Sequence, residues 1–536
     1  MRPALLLCLA ALLIAAWYVP NRPVDPPGGL PGEKFSSLSF AAYRPWESPL
    51  AKRFPTEAEA DADMALVARV AGAVRTYAAS EGKFDTAALA QQHGLKVWQG
   101  IWLSANRADN EREMARGIAL ANAYPDTIIR VVVGNEVLLR RDLPVAELIA
   151  DIDRVKHAVR QPVAYADVWE FWRQFPEVAP HVDLMLIHLL PYWEDVPTGI
   201  DGAVAHVGEV FRQMRALFPG KQIAIGETGW PSQGRERADA VPSLVNETKF
   251  LRDFLELSRA EHFDYNFIEA FDQIWKYHSE GIVGANWGIY DAERRLKIPL
   301  TGGVSNDPVW ALHAAISVMA GLAFSLLGLR PGRKLPARRR NLVCVAGMAL
   351  GGGLGFAAAS VWASLYDIHL ALAGAVNLLG QAALSVLAML RLSGAVAGAP
   401  ARNGADATET VRAFLTRLTL PNLHGAFEDL CFLFVWTAAV MQMLLWCDSR
   451  YREFPLSTFA VPLLVTVGRL AAGDLPRAGG GREELFVGFI LALAAVGSAV
   501  QEGPLNAQSL VWNACALLLA VPPLLRLTGG RRAVVA

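Results

Sequence analysis

From Phe35 to about residue 303, short apolar β-rich runs alternate with longer amphipathic stretches, the pattern of repeated strand–helix units built on a parallel sheet. Eight runs read as strands: 37–41, 73–77, 95–103, 127–133, 163–166, 184–189, 222–226 and 267–271. Between the first two, Thr56-Glu-Ala-Glu59 has the spacing of a capping box that opens a helix. Eight such units predict an α/β fold, a (β/α)8 TIM barrel.

After Thr301-Gly-Gly-Val-Ser-Asn306 the alternation gives way to long apolar runs at 309–329, 342–365, 368–390, 430–447, 456–473, 485–501 and 508–526. These predict an all-α transmembrane domain. A further apolar run, Ala4 to Val19, follows Arg2 and reads as an uncleaved signal anchor, a cleaved secretory signal being the alternative. The Pro/Gly-rich stretch from Pro20 to Gly32 reads as a linker. The expected domains are therefore 1–20 an anchor, 21–34 a linker, 35–303 the barrel, and 304–536 a membrane domain with about seven transmembrane helices.

Charge orients these spans. Arg330, Arg333, Lys334, Arg338, Arg339 and Arg340 crowd the first connector, which the positive-inside rule places in the cytoplasm. The barrel then lies on the other side, Arg526, Arg531 and Arg532 fall inside, and residues 392–428 form a cytoplasmic loop. Within the helices, Asn377 and Gln381 share a face and suit interhelical hydrogen bonding or a polar path, and Arg469 is expected to snorkel. A mean hydropathy of +0.27 fits a chain that is part membrane protein. The formal net charge of −1, with arginines beside apolar runs rather than among aromatics, excludes nucleic acid as a partner. All five cysteines lie in or beside apolar segments, so the barrel region has no disulfides to form.

Two strand ends carry the candidate chemistry. The apolar run Ile223-Ala-Ile-Gly226 delivers Glu227, and the β-branched run from Thr127 delivers Asn135 and Glu136. In a parallel barrel the C-terminal strand ends hold the active site. Either glutamate alone reads as a solvated or salt-bridged carboxylate, but two in matching positions suggest the acid and nucleophile that cleave a glycosidic bond. Aromatics gather at the same ends, among them Tyr43, Tyr77, Tyr192, Trp230, Phe271 and Trp275, and flat rings suit the C–H faces of sugars. Tyr192, Trp230 and Trp275 are expected to be sugar-facing. Glu269 has Lys276 and Arg75 as candidate ion-pair partners, or could hold a sugar hydroxyl. No metal or cofactor is implied, because no His/Asp/Glu cluster with ligand spacing stands near the mouth.

Val133-Gly-Asn-Glu-Val137 and Gly226-Glu-Thr-Gly-Trp-Pro-Ser232 resemble the two signature motifs of glycoside hydrolase family 17, the β-1,3-glucanase family. Val74-Arg-Thr-Tyr77, Pro191-Tyr-Trp193, Phe271-Asp-Gln-Ile-Trp-Lys276 and Trp287-Gly-Ile-Tyr290 extend the resemblance over about residues 35 to 300. It implies a retaining mechanism with Glu136 as acid/base and Glu227 as nucleophile, Asn135 on the 2-hydroxyl, and Tyr43, Arg75, Tyr77, Tyr192, Trp230, Glu269, Phe271, Trp275 and Lys276 around the substrate. Gln273 and His188 depart from the plant members, which have glutamate and asparagine there, and the Phe-Asp-Gln pattern resembles the bacterial branch that includes glucanosyltransferases.

The expected function is a membrane-anchored enzyme that cleaves and transfers β-1,3-glucan or its oligosaccharides, set in the lipid bilayer of a bacterial inner membrane with its barrel in the periplasm, beside glucan-synthesis machinery. The alternatives are an idle glucan-binding or glucan-export module, and a glycosidase for another β-linked polymer.

Overall fold

The computed structural model describes residues 3–29, 32–80, 82, 84–329, 335–394, 411, 412, 415, 423–474 and 481–525. The chain divides into two compact units, Pro23–Ser305 and Met1–Arg22 with Asn306–Ala536.

The first unit is a closed barrel of eight parallel strands in sequence order. They are β1 (Ser37–Ser39), β2 (Ala73–Arg75), β3 (Lys96–Ile101), β4 (Ile128–Asn135), β5 (Val163–Val168), β6 (Leu184–His188), β7 (Gln222–Thr228) and β8 (Tyr265–Phe267). Helices that pack outside it include Glu57–Val67, Arg107–Ala123, Val145–Ala158, Ile200–Leu217 and Leu244–Glu261. The first of these opens on the capping box expected at Thr56 and Glu59. Inside the barrel the filling is small, with Ala73, Ala164, Ala166 and Ala224 packed around Trp98, Val132, Leu184 and Leu186. Small residues facing one tryptophan let the strands close while both faces of each stay dry.

Besides one shift at the start of β3, between Val97 and Trp98, the ladders shift register at their C-terminal ends, between Val132 and Asn135, Ile187 and His188, and Ile225 and Thr228. The C-terminal irregularities re-aim the side chains where the candidate chemistry sits. Strand eight was expected at 267–271 and lies two residues earlier. Beyond Phe267 the chain leaves the ladder, and Glu269 and Ala270 donate instead to the carbonyls of Trp287 and Ser39.

The stretch after residue 22 is not a free linker. Val24 and Val304 exchange both backbone hydrogen bonds, at 2.9 and 2.7 Å. Arg252, 1% exposed, pairs with Asp25 at 2.8 Å and donates to the carbonyls of Pro26, Pro299 and Gly302. One buried guanidinium thus fastens both edges of the barrel unit, and the domain it closes is wider than residues 35–303.

In the second unit, seven described helices are long and apolar enough to cross a membrane. We number these α1 (Pro3–Asn21), α2 (Trp310–Gly328), α3 (Ala337–Ala363), α4 (Ile368–Leu392), α5 (Leu423–Cys447), α6 (Arg482–Glu502) and α7 (Ala507–Leu524). α1 is part of this unit: Leu6 packs with Cys344 and Met348, and Trp17 Nε1 donates to Ser317 Oγ at 2.9 Å. α2 and α3 approach backbone to backbone, and a Cβ on Gly351 would sit 2.2 Å from the Gly321 nitrogen. Only glycine permits that approach.

The run expected to span at 456–473 forms a shorter apolar helix, Ser457–Ala471. At 1.5 Å per residue it is roughly 22 Å long, short of the hydrocarbon thickness. Asn377 and Gln381 serve its start: Gln381 accepts from the Val461 amide at 3.0 Å and donates to the Ser457 carbonyl at 3.0 Å, and Asn377 donates to the Thr458 carbonyl at 3.1 Å. They bond between helices rather than line a path. Arg469 does not snorkel. It pairs with Glu428 at 3.1 Å, as Arg391 does at 2.9 Å. Of the charges that orient the spans, Arg330, Arg333, Lys334, Arg526, Arg531 and Arg532, together with most of the 392–428 loop, lie outside the described residues.

Candidate active site

The C-terminal strand ends converge on Arg75, which is fully buried at the end of β2. Its guanidinium donates to Asn135 Oδ1 at 2.5 Å, to the Gly226 carbonyl at 2.7 Å and to Glu227 Oε1 at 3.1 Å. Three strands are thereby tied through one cation. Tyr77 adds its hydroxyl to Glu227 Oε1 at 2.8 Å and meets Ser39 Oγ at 2.8 Å. Burial and the Glu227 charge hold the Tyr77 hydroxyl well above its ordinary pKa, so it stays a donor.

Glu136 follows β4 in the left-handed backbone region, φ 54°, anchored by its amide on the Ala166 carbonyl at 2.8 Å. The turn swings its side chain across to His188, whose Nδ1 lies 2.8 Å from Glu136 Oε1. His188 Nε2 lies 3.3 Å from Arg75 Nη1 and 3.6 Å from Glu227 Oε1. An arginine can only donate, so Nε2 is the accepting nitrogen and Nδ1 carries the proton toward Glu136. Burial pushes the Glu136 carboxyl up, but the His188 hydrogen bond and the charges of Arg140 and Arg75 outweigh it and leave its pKa below the ordinary value. Glu136 in the free site is therefore held ionised.

Glu136, His188 and Glu227 bring ligand atoms within 4.8 Å of one another, so the expectation that no such cluster stands near the mouth is corrected. The positive charge among them is the Arg75 guanidinium.

The other expected residues divide. Trp275 is half-buried at the mouth, with Nε1 on Gln273 at 2.9 Å and its ring 6.1 Å from that of Tyr43. Glu269 pairs with Lys276 at 2.8 Å, not with Arg75, and burial lifts its pKa to about 7 against the attraction of that lysine. Tyr192 and Trp230, expected to face sugar, are wholly buried. Tyr192 donates to the Arg235 carbonyl at 2.6 Å, and Trp230 donates to the Val241 carbonyl and stacks on Phe250 at 5.8 Å. Each ring satisfies its polar atom inside the wall, which removes it from the cleft. Phe271 is buried as well, under Arg294 at 4.6 Å. Sequence reasoning missed the bridging place of His188, seen only as a departure from the family pattern, and it missed Asp167. That carboxyl is buried, bonded by Tyr165, and raised to about 6 by burial with Glu136 nearby.

A closed parallel barrel with paired carboxylates at its C-terminal strand ends is an architecture of glycoside hydrolases. Residues 41–288 match the family described as the BtgE/BtgC glycoside hydrolase domain. The chain is 25% identical over 300 residues to the probable glucan endo-1,3-beta-glucosidase btgC of Aspergillus clavatus, covering 49% of this chain and 43% of that one. It is 26% identical over 252 residues to the glucan 1,3-beta-glucosidase BGL2 of Candida albicans, covering 42% and 80%. The chain thus spans less than half the length of the first of these relatives. Among solved structures, the family 17 beta-1,3-glucanosyltransferase from Rhizomucor miehei is 27% identical with a TM-score of 0.44, covering 50% of this chain and 98% of that one.

Proposed function

We propose that the protein is a retaining enzyme that cleaves β-1,3-glucan and transfers the cleaved chain, held in a bilayer by its helical unit. The observation that carries the mechanism is the closeness of the two glutamates. One carboxylate oxygen of each lies within 4.8 Å of one from the other, a closeness that suits the roughly 5–5.5 Å separation of carboxyl groups in retaining enzymes.

In the first step a Glu227 oxygen attacks the anomeric carbon while Glu136 gives its proton to the departing glycosidic oxygen, and the carbon–oxygen bond breaks. In the free site Glu136 must first take up that proton, and a sugar packed over it favours the neutral form by excluding water. Once Glu227 is esterified its negative charge is gone, which lowers the proton affinity of Glu136 and prepares it as base. In the second step Glu136 removes the proton of an acceptor hydroxyl whose oxygen displaces Glu227. Water gives hydrolysis, a sugar hydroxyl gives transfer. Asn135, oriented by Arg75, is placed for the 2-hydroxyl of the reacting sugar.

The β-1,3-glucan substrate is supported by the names of the relatives and by the family match. The location we propose is the bacterial inner membrane, and an orientation that puts the barrel on the face opposite the cytoplasm is supported by two features. Arg338, Arg339 and Arg340 open α3, and the aromatic rings of Trp17, Tyr18 and Trp310 gather where α1 ends and α2 begins. Proximity to glucan-synthesis machinery would explain why such an enzyme is held by several helices. The test is incubation of the protein with a linear β-1,3-gluco-oligosaccharide and mass analysis. Longer products mean transfer, shorter ones alone mean hydrolysis, and unchanged substrate refutes the proposal. With a glycosyl fluoride, Glu136→Ala should yield β-azide product in azide, whereas Glu227→Ala should not.

A further inference from the structure

The peptide that joins the two polar residues at the tip of β4 is held at both of its ends. The Glu136 amide donates to the Ala166 carbonyl at 2.8 Å, and the Asn135 carbonyl, on the opposite edge of the same peptide, accepts from Arg140 Nη1. Arg140 is itself fixed. Its Nη2 donates to the Leu103 carbonyl at 2.7 Å, its Nε donates to Asp142 Oδ2 at 2.8 Å, and its guanidinium lies 4.2 Å from the centroid of the Trp102 ring. One side chain thus ties the exit of β3 to the exit of β4, strands that pair as far as Ile101 and Val133.

The backbone needs a clamp at this point. Glu136 adopts φ 54°, a region that a residue with a Cβ enters only at a cost, and Gly134 two places earlier also has positive φ, 84°. Such a conformation persists only where the surroundings over-determine it. Arg140 belongs to the turn that it closes, since its own amide donates to the Glu136 carbonyl at 2.9 Å.

The Asn135 side chain has a separate anchor, its Oδ1 on Arg75 Nη2 at 2.5 Å, so the loss of Arg140 bears on Glu136 first. The 2.8 Å contact between Glu136 Oε1 and His188 Nδ1 depends on where the turn sets the glutamate, and a shift of about 1 Å in a reacting group can cost a large factor in rate. Resting on the reading of Glu136 as acid/base, we infer that Arg140 is a positioning residue: it fixes the Asn135–Glu136 peptide and so aims the Glu136 carboxyl at the glycosidic oxygen, acting through Glu136 rather than on the sugar.

The experiment compares two donors on the full chain in detergent, as wild type, Arg140→Met and Arg140→Lys. Laminaripentaose needs Glu136 to protonate its leaving group, whereas β-laminaribiosyl fluoride with azide present needs Glu136 neither as acid nor as base. Arg140→Met should lower kcat/KM for laminaripentaose about thirtyfold, while fluoride release in azide changes less than about threefold. Arg140→Lys keeps a cation but not the fork, and it should show the same selective loss at smaller size. A loss of equal factor on both donors, in whichever variant folds, means that Arg140 only supports the barrel and overturns the inference. No loss on laminaripentaose in either variant overturns it as well. A wild type that turns over neither donor refutes the glucan reading itself, and this inference with it.

Discussion

His188 Nδ1 donates to Glu136 Oε1 across 2.8 Å, and the same ring's Nε2 faces Arg75 and Glu227. One imidazole therefore links the two carboxylates through opposite edges, with its tautomer fixed by a neighbour that can only donate. The free site is set for an ionised Glu136, and protonation is deferred until substrate arrives.

His188→Ala removes that donor. The Glu136 pKa, lowered in the intact site, should rise. Activity on free enzyme and substrate needs Glu136 protonated, so the alkaline limb of the kcat/KM profile should move to higher pH. The profile with an oligosaccharide measures it, and an unmoved alkaline limb would show that the histidine does not set the acid.

Glu269→Gln should flatten the pH dependence of barrel stability. The folded-state pKa of Glu269 is raised to about 7 by burial, so between roughly 4.5 and 7 the native state holds a proton that the unfolded chain has released. Stability then falls as pH rises through that window, by roughly 3 kcal/mol from this group, and glutamine removes its share. Denaturant melts at pH 5 and 7.5 compare the two. Asp167, raised to about 6, leaves a residual slope in the variant.

Arg252→Ala should destabilise the barrel by on the order of 3 kcal/mol, since it strands the carbonyls of Pro26, Pro299 and Gly302 as well as losing the Asp25 pair. Thermal melts of a soluble fragment spanning residues 23–305 read this directly. The same fragment should be more stable than one cut at 33 and 303, which lacks both Val24 and Val304.

Gly351→Leu should prevent α2 and α3 from closing, because the added side chain meets the Gly321 backbone rather than a yielding side-chain tip. Lower yield and a lower unfolding temperature in detergent are expected. Gly468→Leu, where a Cβ meets nothing within 4 Å, is the control.

Much of this was legible in the chain. The β-branched run ending in Asn135 and Glu136 can only be a buried strand with polar residues at its tip, and the run before Glu227 reads the same way. Tyr192 and Trp230 were misread because an aromatic at a strand end suits a sugar face and a packed wall equally, and only the carbonyls of Arg235 and Val241, 43 and 11 residues away, decide between them. His188 joins Glu136 across 52 residues, a closeness that follows from barrel closure and not from local pattern. The short helix Ser457–Ala471 looked long enough to span because composition continues past the point where the backbone turns.

The pairing of Val24 with Val304 brings the entry and exit of the catalytic unit to one point on the chain's path. Along the chain the barrel unit is a self-contained interruption between α1 and α2, two helices that meet each other through Trp17 and Ser317. Excising residues 23–305 and joining the ends through a few glycines should leave a helical protein that still assembles, while the released module could be exchanged for another barrel without redesigning what holds it.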